Sequence, residues 1–337
     1  MHQAGHGSRS LFCRAFFRRT GIHFVGKRFK FRTPREPRSM TRPETRTETS
    51  PEAGNGGLAF AFRHCEELVR ESDPDRYFAA LFAPAAFRPH LFALSAFSLT
   101  IARVREAASN PMAGEIRLQW WRDALQGEAR GDVRANPVAA ALDDAIVTRR
   151  LGRQPFVDLI DARVFDLYDD PMPRVNDLEG YCGETASALI RLSGLVLADG
   201  AEPGGAAAAG HAGVAYGITG LLRALPWHAR QGQVYLPGDL LRQNGVTRED
   251  IVSGRGGPGL VRTCAELRAL ARRHLAAYEA ARGTIAPAAR PAFLPTALVE
   301  PYLAAMERAG YDPLNSVIEI PRWRRLWRLW RAARTGR

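Results

Sequence analysis

Residues 221–237 read LLRALPWHARQGQVYLP. The first half continues an apolar spacing of three and four that begins at residue 210, which is the spacing of an amphipathic helix. Pro226 falls inside it and is expected to bend or end that helix near Ala224. The second half holds Gln233-Val234-Tyr235-Leu236, the one period-2 segment in the chain. A chain whose best strand candidate is four residues long has no sheet to build a core on. The fold class is therefore all-α.

Working outward, the same spacing recurs over 60–70, 76–82, 89–106, 113–127, 138–148, 154–168, 175–198, 259–282 and 298–309. Stops fall between these segments at Pro84, Pro111, Gly131, Asn136, Pro171, Pro173 and Gly204-Gly205. No internal repeat is visible. The reading is a single-domain bundle of about nine or ten helices spanning 58–320. With 337 residues, 46% of them hydrophobic, the chain is long enough to bury a real core. No apolar run reaches the roughly 18 to 20 uncharged residues of a spanning helix, since Arg, Asp or His interrupts each.

The formal charge of +12 sits at the ends. Residues 1–39 carry ten Lys/Arg against Glu36, and residues 321–337 carry seven Arg and no acid, leaving −4 for 40–320. A nucleic-acid reader would carry its basic stripe on the fold itself, so nucleic acid is not expected as a partner. Both lysines, Lys27 and Lys30, precede Met40. The first 39 residues thus read as a transit-like presequence or as sequence upstream of a start at Met40. Residues 40–57, rich in Thr, Glu, Pro and Gly, complete a basic, disordered leader over 1–57.

Cys13, Cys65, Cys182 and Cys264 are dispersed, which points to a reducing compartment and away from a zinc site. Gly254, Gly256 and Gly259 form GxGxxG, but no strand precedes it and Pro258 sits inside, so a helix–helix loop is expected. GxSxG, HExxH and P-loop motifs are absent. Asp161, Asp166, Asp169 and Asp170 make the one dense acidic cluster, the last three spaced to share a helix face ahead of Pro171. A solvated helix end is the plainer reading of it.

Leu118-Gln119-Trp120-Trp121-Arg122-Asp123, Tyr181-Cys182 and Val234-Tyr235-Leu236-Pro237, with 93–106, 159–167 and 221–237 around them, resemble the squalene/phytoene synthase family. The likeness covers roughly residues 60 to 337. It implies an isoprenoid-synthase-like helical bundle whose active members clamp a prenyl diphosphate through Mg²⁺ held by two aspartate-rich motifs. Here the first motif, DDxxD after an AFCR-like helix, reads Ala102, Arg103, Val104, Arg105, Glu106, keeping a carboxylate only at Glu106. The second, NILRDxxxD, has Gly220 for its asparagine and Ala224 and His228 for its aspartates. An Arg at ~4 Å from a cation site costs about 4 kcal/mol per unit charge at an effective dielectric of 20.

The resemblance, so altered, implies loss of Mg²⁺-dependent ionisation and no resident cofactor. Arg103, Arg105 and His228, with Tyr181, Arg223 and Tyr235, become candidates for gripping an anionic head group directly, and a prenyl lipid is a further candidate ligand. The stretch 221–237 looks like the branch of the family that assists assembly of respiratory complex I, which implies a non-catalytic role beside a membrane-bound partner. The alternative is a divergent prenyl transferase that retains Mg²⁺ by recruiting Asp161, Asp166 and Glu184 to Glu106.

Residues 321–337 add a membrane signal. Trp323, Leu326, Trp327 and Trp330 repeat at i, i+3, i+4 and i+7, with Arg322, Arg324, Arg325, Arg328 and Arg331 between them. This is the composition of a helix lying in a membrane interface, with Trp323, Arg324, Trp327, Arg328 and Trp330 against anionic lipid. The expected location is cytoplasmic and peripheral to the membrane, or the matrix side of a mitochondrial membrane if residues 1–39 are a transit peptide.

Overall fold

The computed structural model describes residues 51–335, so the reading of residues 1–50 lies outside it. Fifteen α-helices make up the described chain, and no β-strand forms within it. They are α1 (Pro51–Ser72), α2 (Pro74–Ala80), α3 (Arg88–Ala102), α4 (Val104–Ala107), α5 (Pro111–Gln126), α6 (Pro137–Thr148), α7 (Gln154–Arg163) and α8 (Val175–Cys182). The second half holds α9 (Ala188–Leu197), α10 (Ala206–Arg230), α11 (Gly238–Gln243), α12 (Arg248–Val252), α13 (Gly257–Ala281), α14 (Val299–Ala305) and α15 (Arg322–Thr335). Helix α1 is already under way at Pro51, seven residues ahead of the expected start of the domain.

Helix starts follow a repeated Asx-Pro device. Asp73, Asn110 and Asn136 each accept a hydrogen bond from a first-turn N–H, and Pro74, Pro111 and Pro137 follow them. The proline removes an N–H that would have no helical partner there, and the capping side chain satisfies another, worth about 1 kcal/mol per cap. Gly127, at φ 77°, closes α5 in the left-handed region that disfavours a side chain.

Two expectations are corrected. The single helix expected over 175–198 is divided by a π-helical turn at Gly183–Ser187. Helix α10 does not end near Ala224: it passes Pro226 and continues to Arg230. Pro226 lies in its last turns, where the loss of one backbone bond is tolerated, and Gln231 closes the helix by donating to the Trp227 and His228 carbonyls. Gly220, Ala224 and His228 therefore remain on one face at i, i+4 and i+8. The segment Gln233–Leu236 is loop; of the GxGxxG glycines, Gly254 and Gly256 lie in the turn between α12 and α13, while Gly259 is already in the first turn of α13.

One apolar cluster joins α1, α3, α5, α6, α7 and α9; Phe97 is its centre, edge-on to Trp121 and Phe156. A second joins α8, α10, α11, α13 and α14. Helix α10 reaches the π turn closely because it has no side chains there. A Cβ at Gly213 would lie 2.2–2.3 Å from Ser187 atoms, and one at Gly217 would lie 2.8 Å from the Cys182 sulfur. Glu179, His274 and His211 form a hydrogen-bonded chain that ties α8, α13 and α10, at 2.7 and 3.0 Å. Residues 85–102 are apolar and long enough to cross a membrane by composition, yet Leu91–Phe97 is buried in the first cluster, so α3 serves as a core helix.

Helix α15 packs back through Leu329 and Ala332 onto Ala79, Leu294, Leu298 and Tyr302. Its tryptophans point the other way. Trp323, Trp327 and Trp330 are 65%, 47% and 45% exposed, because their positions on the helix lie opposite Leu329 and Ala332.

Candidate functional site

Between the two core clusters lies a cavity of about 540 Å³. Its walls come from the α1–α2 junction, the end of α3, Arg163 of α7, the π turn, the middle of α10, and the loop leading to α15 at residues 317–319. Leu99, Ala186, Tyr216 and Leu221 give it an apolar lining. Gly220, Ala224 and His228 of α10 all face it, and a Cβ added at Gly220 would meet open space.

Its inner charged groups, Asp73, Asp75, Arg76, Arg163, Arg223 and Arg325, are already partnered. Asp73 accepts from Arg76 at 2.8 Å while capping α2. Asp75, almost fully buried, accepts from the Tyr302 hydroxyl at 2.7 Å and from Arg325 at 2.9 Å, with Arg223 at 3.5 Å. Arg223 also lies 3.7 Å over the Tyr302 ring. Behind the wall, Asp166 accepts from Tyr181 at 2.7 Å and from Arg163 at 2.9 Å. Glu319 stands exposed at the rim. The Nε–H groups of Arg163, Arg223 and Arg325 are buried without a hydrogen-bond partner among the described residues.

His228 is held below its usual range, at about 4, chiefly by burial, with Asp166 opposing and Arg163 adding to the shift. Its imidazole is uncharged at neutral pH, with its ring tilted 54° to that of Tyr235 at 4.7 Å between centroids. It therefore brings no positive charge to an anion there.

The sequence-based candidates separate into groups. Tyr181, Arg223 and His228 line the cavity, and Tyr235 stands behind His228. Arg103 and Glu106 are exposed on the short α4 turn, outside the wall. Arg105 also lies outside it, donating to Asp169 at 2.6 Å and to the Gln231 carbonyl. The break after Ala102 ends α3 before the first-motif positions can face inward. None of the carboxylates recruited in the prenyl-transferase reading lines the cavity. Asp161 pairs with Arg122 at 2.7 Å, Asp166 is taken by Arg163 and Tyr181, and Glu106 is elsewhere. Glu184 lies on the π turn, its carboxyl pushed up to about 8 by burial first and then by Asp158 and Asp161. Among the described residues, no three His, Cys, Asp or Glu side chains are placed to hold a metal ion.

Sequence reasoning missed Asp73, Asp75, Arg76, Arg163 and Arg325. Only the Asp-Pro pair at 73–74 left a local signal, as a helix cap; the partnership of residue 75 with residue 325 leaves none.

The squalene/phytoene synthase family profile matches residues 69–331. The chain is 30% identical to NADH dehydrogenase (ubiquinone) complex I, assembly factor 6 of Rattus norvegicus, over 84% of this chain and 86% of that protein. It is 29% identical to phytoene synthase 3, chloroplastic, of Zea mays over 60% of this chain and 48% of that protein. Among solved structures, squalene synthase HpnC from Alicyclobacillus acidocaldarius superposes with a TM-score of 0.63 at 26% identity, covering 77% of this chain and 99% of that one.

Proposed function

The chain belongs to the squalene/phytoene synthase family, and on that premise we propose that it is a non-catalytic member that assists assembly of a respiratory membrane complex from a peripheral position on the membrane. The observation that carries this reading is the state of the cavity carboxylates. Mg²⁺ requires oxygen ligands free to bind it and to bridge a diphosphate. Gly220, Ala224 and His228 supply no carboxylate on α10, and Asp73 and Asp75 are held by Arg76, Arg223 and Arg325. Freeing either acid would strip a partly buried guanidinium of its partner, and Glu319 at the rim adds only one carboxylate, so the residues present do not fit a Mg²⁺ cage. An acidic head group would instead meet the partly exposed guanidinium groups of Arg76, Arg223 and Arg325 along the same wall.

The comparison with complex I assembly factor 6 supports the assembly role, since similarity extends over most of both chains. The outward tryptophans of α15, with Arg324, Arg328, Arg331 and Arg334 lying over their rings, support the membrane position. Under this reading the protein works on the cytoplasmic face of a bacterial membrane or the matrix face of a mitochondrial one.

The test is removal of the gene from an organism that carries it, followed by quantitation of assembled NADH:ubiquinone oxidoreductase on native gels. A severalfold fall, restored by re-expression, is expected. Normal amounts of the complex, together with loss of a squalene- or phytoene-type hydrocarbon, would select the prenyl-transferase alternative.

A further inference from the structure

A second and larger concavity, about 1050 Å³, runs between α15, the 3₁₀ segment Pro287–Leu298 and the end of α13, away from the central cavity. Its floor is apolar, with Phe82, Leu275, Tyr278, Phe293 and Leu294. Tyr278 and Phe293 stack with nearly parallel rings 5.9 Å apart, which fixes the aromatic part of the floor. The rim is basic: Arg290 comes from one wall, and Arg328, Arg331 and Arg334 from the other. The two acids in the lining are already engaged, Glu279 by Arg282 and Glu300 by Arg272. Arg290, Arg328, Arg331 and Arg334 make no ion pair with any described residue. Arg328 and Arg331 lie over Trp327 and Arg334 over Trp330, so the same guanidiniums border both the groove and the exposed tryptophan ridge.

We infer that this groove is a binding site for one acidic phospholipid, its phosphate on the rim arginines and its acyl chain along the Tyr278–Phe293 floor. Guanidinium pairs with phosphate bidentately, and four of them around an apolar trough match an anion with a hydrocarbon tail. The other occupants fit less well. The chain's own leader is strongly basic over residues 1–39 and would be repelled, as would the same face of a second copy. Nucleic acid would satisfy the arginines and leave the floor unused. The site deepens the proposed membrane role, since a lipid held beside the tryptophan ridge would make docking selective for acidic membranes.

The test uses the full chain and dihexanoylphosphatidylglycerol below its micelle concentration, measured by calorimetry and native mass spectrometry, so that no bilayer is required. One molecule is expected to bind, with dihexanoylphosphatidylcholine weaker by at least about tenfold and the double variant Arg290→Gln/Arg331→Gln weaker by a similar factor. Both positions are exposed, so the melting temperature should be unchanged. Absence of saturable binding, or equal affinity in the double variant, overturns the inference. Competition by glycerol phosphate or by a short RNA at the same concentration as the lipid also overturns it, because the site would then read anions without the chain. Adsorption of wild type and double variant to acidic vesicles separates the two proposals. Equal adsorption without monomeric lipid binding sinks the groove alone, and monomeric binding without adsorption sinks the membrane role.

Discussion

Replacing Asp75 by Ala should lower the free energy of unfolding by roughly 3–5 kcal/mol, measured by urea denaturation. The carboxylate is almost fully buried and takes three partners from three different elements: Tyr302 of α14, Arg325 of α15 and Arg223 of α10. Its removal strands two guanidiniums and a hydroxyl in a region where water cannot fully replace it. Asp75→Asn keeps an acceptor and should lose less, about 1–3 kcal/mol. Because Arg325 makes the one ion pair between α15 and the bundle among the described residues, Asp75→Ala should also expose residues 316–321 to limited proteolysis. A loss below about 1 kcal/mol, in the range of surface ion pairs, would show that the network does not hold α15 in place.

The second large effect is on membranes. Changing Trp323, Trp327 and Trp330 together to Ala should lower partitioning onto acidic vesicles about a thousandfold, if each indole contributes roughly 1.5 kcal/mol on entering the interface. The three side chains face solvent, opposite the Leu329–Ala332 packing face, so the melting temperature should stay within a few degrees of wild type. Cosedimentation at low and moderate salt measures it: the wild type should bind more weakly as salt rises, through its arginines. Undiminished binding in the triple variant would contradict an interfacial role for α15.

How far the chain could be read in advance depended on the range of the interactions concerned. The helical class was legible because the apolar period of α1, α3, α10 and α13 is long and is punctuated by Asx-Pro starts and glycine stops. The tryptophan stripe of α15 was legible for the same reason. Helices α11 and α12 escaped notice, being six and five residues long, too short to show a period. Helix α10 continues past Pro226 because the proline falls in its last turns, whereas the π turn at Gly183–Ser187 is a tertiary outcome, with Gly213 and Gly217 letting α10 pack closely against it. At the cavity, the motif positions on α10 were found through the family resemblance of residues 221–237. Arg103, Arg105 and Glu106 were misplaced because the chain breaks after Ala102, and nothing in 96–106 announces that break. The acid–arginine pairs that fill the cavity join residues up to 250 positions apart, and such pairs become visible only in the fold.

The central claim is that the cavity keeps the family's architecture without its ion cage. The direct measurement is a calorimetric titration of Mg²⁺ into the protein in the presence of a non-ionisable prenyl diphosphate analogue. It is run beside the variant Gly220→Asn/Ala224→Asp/His228→Asp, whose first new side chain enters open space. The account predicts no saturable Mg²⁺ binding and no turnover of the natural diphosphate by the wild type, with binding appearing in the variant. Saturable Mg²⁺ binding by the wild type, with conversion of prenyl diphosphate at ordinary enzyme rates, would contradict it.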